Sequence, residues 1–144
     1  MVNKITQSRI ESLADRYREL ARGRDDILQE IAIAEIPEMV YNSNAIENST
    51  LTLKDTEDIL LRDIVRKDRD IREIYEAKNL SRIMEALLSS PSRPLNVPLM
   101  LEWHKNLLSG INDACAGRFR SGKEWVRVGT HIGANPDFVP SLMD

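Results

Sequence analysis

Ser43 and Glu47 are the first pair in this chain whose types and spacing could do chemistry. They lie in the stretch YNSNAIENSTLTLKDTEDIL, Tyr41 to Leu60. The preceding IPEMVYNSNAIE reads as a helix, with Pro37 in its first turn, where a missing N–H costs little. The NST after Glu47 is poor helix sequence, and Asn48 suits a left-handed cap. Glu47 therefore falls in the last turn, where the helix dipole disfavours a carboxylate by about 0.3–1 kcal/mol. Either solvent absorbs that cost, or Glu47 waits for a cation supplied from elsewhere. Ser43 precedes Glu47 by four residues, faces the same way, and is placed to donate a hydrogen bond that fixes its rotamer. The plain alternative is a surface serine and glutamate near a frayed helix end.

A second candidate is AGRFRSGKEWVRVGTHIG. Gly117, Arg118 and Arg120 precede EWVRVGTHI, which alternates like a short strand, and VGTHIG turns it into a hairpin around Arg127 to Ile132. The edge of such a hairpin offers N–H and C=O groups to an extended peptide, which can add as a strand, or it lines a nucleotide pocket. The alternative is an ordinary surface hairpin with basic residues. Other chemistry finds little support. His104 and His131 are the two histidines; His104, on an apolar helix beside Trp103, reads as a packing or capping residue. No run of Asp or Glu has the loop spacing of a metal site. There is no GxSxG elbow, no GxxxxGK(S/T) loop and no GxGxxG turn. Cys115 is the single cysteine, which excludes an internal disulfide and a cysteine-rich zinc site.

The elements that must position these residues are mainly helical. The 144 residues suffice for one domain with a modest core, and 42% hydrophobic with 30% charged residues is ordinary for a globular protein. Ile10, Leu13, Tyr17, Leu20, Ile27, Leu28 and Ile31 recur at helical spacing, interrupted at Gly23. Thr52 and Asp55 open the next long helix as a capping box, with Leu53, Ile59, Leu60, Ile64 and Val65 as its expected buried stripe. DIREIYEAKNLSRIMEALLSS follows, with Ile71, Ile74, Tyr75, Leu80, Ile83, Leu87 and Leu88 as its apolar positions. After the prolines of SSPSRPLN, a helix starts from Asn96 and stops at Gly110. FVPSLMD begins another. No apolar run approaches the length that spans a membrane, and the N-terminus lacks the apolar core of a signal peptide, so a cytoplasmic protein is expected. The net charge of −3 gives no global attraction to nucleic acid. Only a local patch of Arg118, Arg120, Lys123 and Arg127 would offer one.

Together these segments resemble the Fic family. SNAIENSTLTLKDTEDIL is similar to its inhibitory-helix motif, (S/T)xxxE(G/N), with Ser43, Glu47 and Asn48 at the three defined positions. EIYEAKNLSRIMEAL and MLEWHKNLLSG resemble the next two helices. AGRFRSGKEWVRVGTHIGANPDFVPS resembles the G-x-(F/Y)-R approach and the β-hairpin flap. The resemblance implies a mainly α, partial Fic-like domain over 36–144 with a short hairpin flap, preceded by a helical region over 1–35. Most members transfer AMP from Mg-ATP to a hydroxyl of a target protein. In them the inhibitory glutamate pairs with an active-site arginine and blocks productive binding of the γ-phosphate. By this resemblance Glu47 is the inhibitory residue, Ser43 its orienting partner and Asn48 the cap. Val128, Gly129, Thr130 and His131 of the flap would border the nucleotide or hold the target. The catalytic signature HxFxDGNGR, which supplies the base, the metal-binding acid and the arginines, is absent from the 144 residues. The expectation is a regulatory and target-docking part that is inactive alone. ATP and Mg2+ belong to the complete enzyme, and the partners are a target protein and a catalytic half. Self-association through the long helices is a further expectation. A non-catalytic helical interaction module is the other reading.

Overall fold

A computed structural model describes residues 3–143. The chain divides into two compact units, Met1–Glu35 and Ile36–Asp144. It is mainly α-helical, with one two-stranded sheet among the described residues.

In the first unit, α1 (Lys4–Ala21) is capped by Asn3, whose side chain accepts from Thr6 N–H at 2.8 Å. It ends before Gly23, which has φ 71°, a backbone conformation that glycine adopts without steric cost. α2 (Asp25–Ala34) follows, with Asp25 and Asp26 at its positive end. Neither helix contains a buried residue. The periodic residues Ile10, Leu13, Tyr17, Leu20, Ile27 and Ile31 are all exposed.

In the second unit, α3 (Ile36–Ile46), α4 (Leu53–Arg62) and α5 (Ile71–Ser89) pack on one another, and α6 (Val97–Leu108) packs on α5. Ile36, Val40, Leu51, Ile59, Ile74 and Ala77 form the core, flanked by Leu60, Leu80, Met84 and Leu88. Local signals explain where these helices start. Pro37 is the second residue of α3, and Asn96 caps α6 through Leu99 N–H at 2.9 Å. Thr52 and Asp55 form a reciprocal capping box on α4.

The apolar stripes differ in part from expectation. α4 stops at Arg62 because Asp63 takes a left-handed conformation, φ 54°, so Ile64 and Val65 fall outside the helix and are exposed. On α5, Ile71, Tyr75 and Leu87 are exposed. Their places against the neighbouring helices go to Ala77, Asn79 and Ser81, which are buried. Small residues let helix backbones approach closely, and Asn79 has a specific task. Its Nδ2 donates to the carbonyls of Leu107 and Ser109 at 3.0 and 2.8 Å, closing the C-terminal end of α6 from a neighbouring helix.

The hairpin is short. β1 (Arg127–Val128) pairs antiparallel with β2 (His131–Ile132), in the register Arg127 to Ile132 and Val128 to His131. Gly129, with φ 60°, and Thr130 form the two-residue turn. Glu124 to Val126 lie before the strand rather than in it. A 3₁₀ turn, Pro136–Phe138, leads into α7 (Val139–Met143).

Candidate functional site

The end of α3 is built by hydrogen bonds to its own backbone. Ser49 N–H donates to the Asn44 carbonyl at 3.0 Å, and Asn48 N–H to the Ala45 carbonyl at 3.1 Å. With Asn48 at φ 64°, this is a Schellman closure, and Glu47 is the half-helical residue just before the left-handed one. Glu47 is exposed. The ion pairs among the described residues all leave it out. Its carboxylate stands at the negative end of α3 without a cation.

The hydrogen bonds that reach this turn come from the backbone and from Ser49, Thr50 and Glu73, and none joins Ser43 to Glu47. Glu47 N–H donates to the Asn44 carbonyl at 3.0 Å, a three-residue step, so the turn tightens to 3₁₀ pitch. Asn44 was not singled out from sequence, yet its carbonyl accepts twice in this turn and its Nδ2 is buried without a partner.

The loop after Glu47 is fastened to α5. The Glu73 carboxylate accepts from Thr50 N–H at 2.5 Å and from the Thr50 hydroxyl at 2.7 Å. Behind it, Asp55 accepts from Thr52 N–H at 3.0 Å and from the Thr52 hydroxyl at 2.6 Å, and pairs with Arg69 at 2.8 Å. The Thr52 hydroxyl bond, helped by Arg69, holds the Asp55 carboxyl below its ordinary range against the opposing effect of burial. Glu73 lies twenty-three residues from Thr50 and Arg69 fourteen from Asp55, and no local pattern points to them.

The hairpin residues Val128, Gly129, Thr130 and His131 are all exposed and bring no polar side chains together. They share no hydrogen bond with Glu47 or Ser43. The approach to the hairpin is braced. Arg118 clasps Glu124 with both terminal nitrogens, at 2.7 and 2.5 Å, and its other donors go to the carbonyls of Ala114 and Phe119. That clasp and the Ser121 N–H bring the Glu124 carboxyl down to about 2. Arg118 is therefore spent on the loop, which weakens the case for a nucleic-acid patch. His104 has a structural partner: its Nδ1 accepts from Gly117 N–H at 3.2 Å. Gly117 is required there, because a Cβ would stand 2.8 Å from the Lys105 Cβ and φ is 72°.

Among the described residues no three His, Cys, Asp or Glu side chains gather closely enough to hold a metal ion. No helix is long and apolar enough to cross a membrane.

No family model matches the sequence. The chain is similar to the protein adenylyltransferase fic-1 of Caenorhabditis elegans, with 31% identity over 104 residues, 69% of this chain. It spans 20% of the length of that relative.

Proposed function

We propose that this chain is the regulatory and target-docking part of a Fic-type protein adenylyltransferase, with Glu47 as its auto-inhibitory residue. The observation that carries the reading is the state of Glu47: exposed, uncompensated, and held at a helix end whose exit is closed by Asn48 and fastened through Thr50. A carboxylate kept there is ready for an external guanidinium, and such a charge-assisted pair is strong enough to act as a latch. The arginine comes from the HxFxDGNGR half, which also holds ATP and Mg2+. While Glu47 occupies it, the γ-phosphate cannot bind productively. The exposed hairpin at Val128–His131 receives an extended segment of the target by strand addition. The similarity to an adenylyltransferase supports the reaction class. The 144 residues alone transfer no AMP, and the protein acts in the cytoplasm.

A second reading has its own observation. The two helices of the first unit carry six exposed periodic apolar side chains and bury none, as a partner-binding or self-associating helical region would. On that reading the chain is a non-catalytic interaction module. Mass spectrometry of the native protein in its source cells, with peptide coverage beyond Asp144, separates the two. Coverage running through HxFxDGNGR supports the enzyme reading. A native end at Asp144, with target capture and no labelling from ATP, supports the module.

A further inference from the structure

A cavity of about 500 Å³ opens between α6, the loop leading to the hairpin, and α7. It is distinct from the end of α3, and the proposed function makes no use of it. Its walls are mostly apolar, with Met100, Leu101, Phe119, Trp125, Val126 and Val139. The volume is that of a small-molecule pocket.

Its polar groups are few, and they are not equivalent. The Glu124 carboxylate is already satisfied by Arg118 and by Ser121 N–H at 2.7 Å. The Cys115 thiol is engaged with the Asn112 carbonyl at 3.6 Å. Arg120 and His104 each keep an unspent donor. Arg120 Nη1 is buried with no hydrogen-bond partner among the described residues. The His104 ring accepts at Nδ1, so in the neutral ring the proton sits on Nε2, which has no partner among the described residues. Gly133 gives the guanidinium its room: a Cβ there would stand 3.3 Å from Arg120 Nη2.

A guanidinium nitrogen buried without an acceptor is costly, and the cost is relieved by an anion that brings its own apolar surface. We propose that this cavity binds a small apolar acid, an aromatic or branched carboxylate whose body fills the apolar walls and whose head accepts from Arg120. The unspent donors favour an acid over a neutral hydrocarbon. The volume of about 500 Å³ favours a small molecule over a protein segment.

The test uses the purified chain with 2-naphthoate and its neutral counterpart 2-naphthamide as probes. Affinities are measured by titration, and the site is mapped from backbone amide shifts. The expected result is saturable one-to-one binding with shifts at Gly117, Trp125 and Val126. The acid should bind about tenfold more tightly than the amide, as a hydrogen-bonded ion pair implies. Arg120→Gln should remove that preference while leaving amide binding in place. If Arg120→Gln does not fold, the acid-to-amide ratio and the shift map on the unaltered chain still decide. Equal affinity for acid and amide, shifts confined to residues 3–34, or no binding of either probe at millimolar concentration would each overturn the proposal.

Discussion

Glu73, in the first turn of α5, holds Thr50 by both of its donors, backbone and hydroxyl, across twenty-three residues of sequence. The contact fastens the exit of α3, and with it the frame in which Glu47 stands. Glu73→Ala should cost about 1–3 kcal/mol in urea unfolding, because it leaves charge-assisted bonds unmade. Amide exchange at Thr50 should accelerate more than exchange in the core of α5. An unchanged Thr50 exchange rate would mean that the loop is held by something other than Glu73.

Asn48 occupies a left-handed conformation that only glycine adopts more cheaply. Asn48→Gly is expected to be neutral or mildly stabilising. Asn48→Val should lower stability by about 1–2 kcal/mol, since a β-branched side chain resists φ 64°. Thermal melts of the three proteins check the order Gly, Asn, Val. A valine variant as stable as the parent would remove the Schellman closure from the account.

Asp55 gives a pH dependence with a definite sign. Its folded carboxyl is held below the ordinary value, chiefly by the Thr52 hydroxyl. Its contribution is therefore full above the unfolded value of about 4 and is lost as pH falls through the lowered folded value. Asp55→Asn should destabilise the chain by about 2–3 kcal/mol at pH 7, through the buried bonds to Thr52 and Arg69. The gap between variant and parent should narrow as the pH drops well below 4. A gap constant from pH 7 to pH 2 would show that the charge of Asp55 contributes nothing.

The features legible in the sequence are the local ones. Asn96, Pro37 and the Thr52–Asp55 box start helices where their chemistry requires it, because caps act within a single turn. The two-residue turn at Gly129–Thr130 was readable for the same reason. What could not be read depends on contacts distant in sequence. The burial of Asn79 is explained only by the end of α6, thirty residues on. Arg69 and Glu73 become part of the site only once α5 lies beside the loop. The exposure of Ile71 and Tyr75 follows from which face α5 turns inward, and their spacing alone does not decide it. The pairing of Ser43 with Glu47 rests on ideal four-residue spacing, and no hydrogen bond joins the two among the described residues.

The central claim is that Glu47 is a latch, and AMP transfer tests it most directly. A form of the protein in which an HxFxDGNGR half follows this chain is assayed with ATP labelled at the α-phosphate, as the parent and as Glu47→Gly. The substitution lies at an exposed helix end, so its effect on stability should stay within about 1 kcal/mol. The account predicts a rise in AMP transfer of at least tenfold, the factor that about 1.4 kcal/mol of lost inhibitory pairing represents. Equal transfer by parent and variant, with both proteins folded, would contradict it.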